Sequence, residues 1–294
     1  MSQQDPYTPP QSGQYIPPAQ PFEGGSDIPP QSPYHRSPTP QRSGTSLLGW
    51  LGSALLAVWA VVKYGLVFLV KIPAFATLFS ALVSVGAYAL FYGPWFAVTL
   101  VVMILIHEMG HVVEIRRQGM RATAPVFIPF LGAAIFQREH PTTAVNQAKI
   151  GIAGPIAGTI GATAAMVLFN ATQNPIFLLA ATIGFFLNLI NMLPVWQLDG
   201  AWVLAPVSPW FQVAGLVAIA LLAVVFHFVS VLLIFIALLG IQSARSAFRN
   251  ARNPYYTSVS PQARLALFGA WLGLVLYLGV MTLQSESLFL ALAR

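Results

Sequence analysis

The stretch His107-Glu108-Met109-Gly110-His111 is the densest group of reactive side chains in the sequence. On a helix, residues four apart share a face, so both imidazoles can reach one ion. Glu108, one position on from His107, can contact a water activated by that ion. Zinc brings the pKa of such a water down toward ~7. A neighbouring carboxylate can then take its proton and deliver it to a leaving amine. The chemistry so suggested is hydrolysis of an amide bond. Two histidines leave the ion one ligand short, because catalytic zinc usually has three protein ligands and one open position. The chain has no cysteine, so the third ligand must be a histidine or a carboxylate.

The acids number eight. Asp5, Glu23 and Asp27 lie in a polar N-terminal stretch, and Glu286 lies near the other end. Glu139 sits beside Arg138, and Glu114 sits among arginines. Asp199 differs from these, because it follows a long apolar run, in Asn191-Met-Leu-Pro-Val-Trp-Gln-Leu-Asp199-Gly200. A lone carboxylate at membrane depth wants a cation. The competing structural role is an N-cap for a helix starting at Gly200, which would make Glu114 the next candidate ligand. His140 and His227 belong to no motif.

These residues must be positioned by membrane helices. The chain is 56% hydrophobic and 7% charged, with mean hydropathy +0.71, whereas soluble domains carry about 25% charged residues. The apolar runs are long and continuous, not ten-residue alternating segments, so an all-α multi-pass membrane protein is expected. Apolar segments cover 74–92, 95–115, 147–170, 175–195, 210–240 and about 262–283. The run 210–240 is long for one crossing. The net charge is +6, and its cations flank the apolar segments. They therefore read as topology signals meeting anionic headgroups, not as a nucleic-acid surface. With the Arg116–Arg121 cluster and a basic loop at Arg245, Arg249 and Arg252 placed in the cytoplasm, 210–240 becomes two short spans turning near His227. The count is then about six to seven transmembrane helices.

Residues 1–45 hold 11 of the 23 prolines and read as a disordered tail rich in Pro, Gln and Ser. Its PxxP spacings, Pro6 to Pro9 and Pro30 to Pro33, could be read by a proline-binding partner. The plainer reading is a tail without a dedicated partner. Residues 46–72, with Lys63, Lys71, Trp50 and Trp59, fit an interfacial or membrane helix. A domain at 73–294, with its core at 74–207, follows. Within it, Pro125, Pro129 and Gly132 break a series of β-branched and aromatic residues near 125–136, which suits a short hairpin. Gly151, Gly154, Gly158 and Gly161 share one helical face and suit close helix packing, with the histidine-bearing helix as a candidate neighbour.

Taken together, the two motifs resemble the site-2 protease family of intramembrane metalloproteases. That family is marked by HExxH on one membrane helix and NxxPxxxLDG on a later one. Here His107 and His111 bound the first motif. Asn191, Pro194, Leu198, Asp199 and Gly200 fill every fixed position of the second, about 80 residues on. The resemblance implies one Zn2+ per chain held by His107, His111 and Asp199, with Glu108 as the catalytic acid/base. It also implies a substrate with a transmembrane segment, cut within or near the bilayer. Asn191 matches the family's asparagine, whose amide could donate to a developing oxyanion. Asn188, one turn earlier, reads as packing or as support behind the ligands. Residues 125–136 resemble the family's membrane re-entrant hairpin, an edge that could recruit substrate by strand addition. The motifs lie too close together to admit the PDZ domain that many members carry. A compact form without cysteine suggests a bacterial cytoplasmic membrane, with the site toward the cytoplasmic side. The alternatives are a catalytically inactive zinc-binding scaffold, or an ion transporter using the same residues.

Overall fold

The computed structural model describes residues 73–135, 139–225 and 231–292, and besides these Gly52, Ser53, Leu56 and Trp59. The expectations for the 1–45 tail, for most of 46–72 and for a turn at His227 lie outside the described residues. The chain divides into two compact units, Met1–Ala60 and Val61–Arg294, and the following concerns the second.

Its elements run α1 (Pro73–Tyr92), α2 (Pro94–Arg117), β1 (Val126–Ile128), β2 (Gly132–Ala134), α3 (Ala144–Thr172), α4 (Pro175–Asn191), α5 (Asp199–Leu204), α6 (Trp210–Val225), α7 (Val231–Asn250), α8 (Pro254–Thr257) and α9 (Pro261–Leu292). The protein is mostly helical. Four helices are long and apolar enough to cross a membrane: Ala74–Tyr92, Pro94–Arg117, Ala144–Thr172 and Pro261–Leu292. Helices α1, α2, α4, α8 and α9 each start on proline, whose fixed φ suits the first turn and whose missing N–H would have no intrahelical partner there. Asn174 and Asn253 cap α4 and α8 through their side-chain oxygens, and Thr143 caps α3.

Inside a bilayer, helices gain little from leaving lipid, so close packing and interhelical hydrogen bonds hold them together. Helix α3 packs on both α2 and α4. Their shared core joins Met103 of α2 to Ala162, Met166 and Phe169 of α3, Leu178, Ala181 and Phe185 of α4, and Leu278 of α9.

Three boundaries differ from the sequence expectation. Helix α4 stops at Asn191, not 195, because Pro194 disfavours helical backbone at the residue before it. The chain then passes through short turns at Leu193 to Val195 and Val195 to Leu198, with Trp196 at φ 50. Arg245 and Arg249 lie within α7, not in a loop. The Gln-Ser-Ala-Arg-Ser-Ala sequence there contains no helix breaker, so charge ends the apolar run without ending the helix. Helix α9 continues past 283 to Leu292, because Gln284-Ser-Glu-Ser lowers the hydropathy without introducing a helix breaker; Ser285 and Ser287 satisfy their hydroxyls on the carbonyls of Thr282 and Gln284.

The segment near 125–136 forms an antiparallel hairpin, with Val126 opposite Ala134, Phe127 opposite Ala133 and Ile128 opposite Gly132. It is fastened along α1. Thr77 donates to the Pro125 carbonyl, the Phe127 N–H donates to the Ser80 hydroxyl, and the Phe130 N–H donates to the Tyr88 hydroxyl. Phe130, at φ 64, is braced edge-on by the rings of Tyr88 and Phe91.

Candidate metal centre

Helix α2 places His107 and His111 one turn apart, and each ring is held from behind. The Nδ1 of His107 lies 2.8 Å from Asn188 Oδ1. The amide of Asn188 is itself oriented, because its nitrogen donates to the Gly184 carbonyl at 2.6 Å. Its oxygen must therefore face the imidazole, and His107 Nδ1 carries the proton. The Nδ1 of His111 lies 2.8 Å from the Ile150 carbonyl. A carbonyl only accepts, so this Nδ1 is protonated too. In the neutral rings both Nε2 atoms then present lone pairs.

Those two lone pairs converge on a carboxylate. His107 Nε2 is 3.0 Å from Asp199 Oδ2, and His111 Nε2 is 3.3 Å from Asp199 Oδ1. The two Nε2 atoms are 3.1 Å apart. Asp199 Oδ2 is buried and receives no hydrogen bond, despite its short approach to His107. Four electron-rich atoms thus face one another without a donor between them. A single proton could join only two of them, whereas a metal ion would bind all three side chains. The spacing suits this: two ligands at ~2.0 Å from a tetrahedral zinc stand about 3.3 Å apart. One ligand atom from each of the three side chains lies within 4.8 Å of the others. The donor set, two imidazoles and a carboxylate, is one that zinc accepts in catalytic sites.

Local sequence explains how Asp199 reaches this point. Leu198, not Asp199, occupies the N-cap position of α5, and no side chain caps the helix. The capping role is therefore not the one Asp199 plays. Gly200 packs so closely on the Met192 carbonyl that a Cβ would overlap it. The same carbonyl accepts the Trp271 indole N–H at 2.8 Å, which ties the linker to α9. Arg264 fastens the neighbouring connections by donating to the carbonyls of Val207, Tyr256 and Val259.

The glycine face of α3 forms the back wall. A Cβ on Gly154 would overlap the His111 ring, and one on Gly158 would overlap the Asn188 amide. A Cβ on Gly151 would press on Trp202 and the Asp199 carbonyl. Pro155 lies inside the helix and cannot donate to the Gly151 carbonyl, one residue from the Ile150 carbonyl that holds His111.

Of the sequence candidates, the structure brings together His107, His111 and Asp199, with Glu108 half-buried and within electrostatic reach of all three. Among the described residues, none hydrogen-bonds the Glu108 carboxylate. Asn191 ends α4, and its amide donates to the Leu187 carbonyl of its own helix at 3.0 Å. Glu114 is not part of the group, since it pairs with Arg117 at 3.0 Å and Gln118 at 2.9 Å. Glu139 and His140 are exposed in the connection before α3. Asn188 stands behind a ligand, one of the two roles the sequence offered for it, whereas Ile150 is the contributor that sequence reasoning missed. The Ile150 contact is a backbone carbonyl and carries no signal in residue type.

Residues 95–174 match the family model described as Peptidase family M50. The match spans α2, the hairpin and α3, includes His107, Glu108 and His111, and ends before Asp199. No curated protein matches the chain. The chain carries an M50 peptidase domain, of the site-2 protease family, over residues 95–174. To this it adds a His/His/Asp group that could hold a metal ion and helices able to cross a membrane.

Proposed function

We propose that this chain is an intramembrane zinc metalloprotease that hydrolyses peptide bonds within or near the transmembrane segments of other membrane proteins. The observation that carries this reading is the convergence of two Nε2 lone pairs on Asp199 while both Nδ1 protons are committed elsewhere. His107, His111 and Asp199 would hold one zinc ion, whose chemistry is to activate water and polarise a carbonyl. Glu108, beside the group, takes the proton from the attacking water and passes it to the leaving nitrogen. Asn188 and the Ile150 carbonyl hold the imidazoles in the tautomer that leaves Nε2 free. The Asn191 amide spends one N–H on the Leu187 carbonyl and keeps a second, which could donate to an oxyanion.

Topology supports the same reading. His111 stands six residues before Arg117 on α2, about 9 Å from a basic end that the positive-inside rule assigns to the cytoplasm. Water can reach that depth from one side. The shorter apolar helices Pro175–Asn191 and Trp210–Leu221 would bring the spans to six, and α7 would make seven. The cysteine-free sequence suits a bacterial cytoplasmic membrane as the host.

The hairpin addresses how a helical substrate is opened. Its bonds to α1 run from Thr77 to Tyr88, eleven residues or about 16 Å of helix. That is a depth suited to a re-entrant element. The Phe127 N–H points away from β2, toward Ser80. Opposite residues in an antiparallel pair share their bonding state, so the N–H and carbonyl of Ala133 point outward from the far edge of β2. A substrate strand would add there, beside α2.

The test is zinc content and cleavage measured together. Wild type should hold about one zinc per chain and cut a transmembrane reporter, while Asp199→Ala should lose the metal. Glu108→Gln should keep the metal and lose cleavage. Cleavage by Glu108→Gln, or a wild type without metal after zinc is supplied, would overturn the reading.

A further inference from the structure

Helices α2 and α3 lie antiparallel, so the end of α2 and the start of α3 share one side of the membrane. Between them, on the face away from α4, runs a groove of about 500 Å³. Its walls are Met109 and Val113 on α2 and Ile156 and Ile160 on α3, all well exposed. The α2 wall ends at Glu114 and Arg117, and the α3 wall ends at Lys149. From Lys149 to Ile160 is eleven residues, or about 16 Å of helix. Half of a ~30 Å hydrocarbon core is about 15 Å. The groove is therefore one leaflet long, apolar along its length and charged at one end only.

The charges at that end do not cancel. Glu114 is paired with Arg117 and accepts from Gln118. Lys149 is exposed, and among the described residues none pairs with it. One uncompensated cation, with Arg116 and Arg121 nearby in the chain, stands where a phosphodiester lies when an acyl chain fills the trough. A zwitterionic lipid brings a phosphodiester already balanced by its own ammonium, whereas an anionic lipid brings a net negative charge that the cation can pair.

We infer that the α2–α3 groove is a binding site for one anionic phospholipid of the leaflet on the Arg117 side, with its headgroup at Lys149 and an acyl chain along Ile152, Ile156 and Ile160. The site stands whether or not the metal centre is catalytic. Its floor at Gly110 lies between Met109 and His111. A seated lipid therefore braces the two helices where Ala153 and Ala157 close on that glycine.

The experiment uses the full chain in detergent, with native mass spectrometry counting phosphatidylglycerol or phosphatidylcholine retained. Wild type should retain phosphatidylglycerol preferentially. One membrane-proximal cation contributes about a fivefold change in anionic-lipid affinity, so Lys149→Ala should weaken phosphatidylglycerol about fivefold and leave phosphatidylcholine unchanged. Ile156→Trp, which fills the trough without changing charge, should reduce retention of both lipids. Arg252→Ala, an exposed cation outside the groove, should change neither. Equal retention of the two lipids by wild type would overturn the proposal. So would an Arg252→Ala loss matching that of Lys149→Ala, which would mean diffuse attraction, or an Ile156→Trp variant that binds as wild type does.

Discussion

Helices α3 and α9 invite comparison, because each is a long apolar helix carrying a series of glycines. They span 29 and 32 residues. On α3, a Cβ at Gly151, Gly154 or Gly158 would strike Trp202, the His111 ring or the Asn188 amide in turn. On α9, a Cβ at Gly269, Gly273 or Gly279 would meet nothing. The residue type is the same and the physical content is opposite. Glycine on α3 makes room for a ligand and its support, whereas glycine on α9 leaves a helix surface bare. A glycine series in a membrane helix thus acquires meaning only from what packs opposite it.

The largest expected effect comes from filling the slot nearest the metal. Gly154→Ala puts a methyl into the His111 ring, which cannot retreat without leaving the Ile150 carbonyl or Asp199. Zinc affinity, measured by competition with a chelator, should fall on the order of 100-fold or more. Gly161→Ala on the same face is the sharpening control. Its Cβ would meet Ile106 at 3.1 and 3.2 Å, a flexible side chain that can yield, and zinc should be retained. Loss of metal in both variants would show that the face is simply intolerant of bulk.

Next come changes that act through Asn188. Gly158→Ala displaces its amide and Asn188→Ala removes it, and either leaves His107 Nδ1–H without an acceptor. Losses of a support behind a metal ligand are typically 10–100-fold in affinity. Asn188→Asp keeps an acceptor toward His107 but sets its second oxygen against the Gly184 carbonyl, so it should recover only part of the loss. An Asp variant as weak as the Ala variant would mean that Asn188 only fills space.

A smaller effect belongs to the hairpin. Ala133→Pro removes an outward N–H while leaving the register pairs on either side. Cleavage of a transmembrane reporter should drop roughly tenfold, with zinc content unchanged. Each lost substrate hydrogen bond is worth about 1 kcal/mol, and the ring also obstructs the approaching strand. Unchanged cleavage would place strand addition elsewhere.

The parts of this site that the sequence made legible were those fixed by local geometry. His107 and His111 share a face because the helix repeat requires it. Asp199 drew attention because a carboxylate is rare in an apolar stretch. What stayed illegible depends on packing between distant segments. Asn188 reaches His107 across 81 positions of sequence, and Ile150 contributes a carbonyl that any residue has. Asn191 was singled out by its motif, and one N–H of its amide is bound to its own helix. In the fold, apolar runs located the helices, but charge misplaced an end. Arg245 and Arg249 end the hydrophobic stretch of α7 without ending its hydrogen bonding.

The smallest prediction returns to α9. A glycine in a helix interior costs roughly 0.5–1 kcal/mol relative to alanine. Gly273 is exposed and has open space where a methyl would go. Gly273→Ala should therefore raise thermal stability in detergent slightly, by an amount of that order, with zinc content and cleavage unchanged. The sign is what matters. The same substitution is expected to be ruinous at Gly154 and mildly favourable at Gly273, so the pair measures packing and not propensity. A fall in stability at Gly273 would break the contrast, because it would mean that this face of α9 is closed against another chain and that its glycines, like those of α3, are making room.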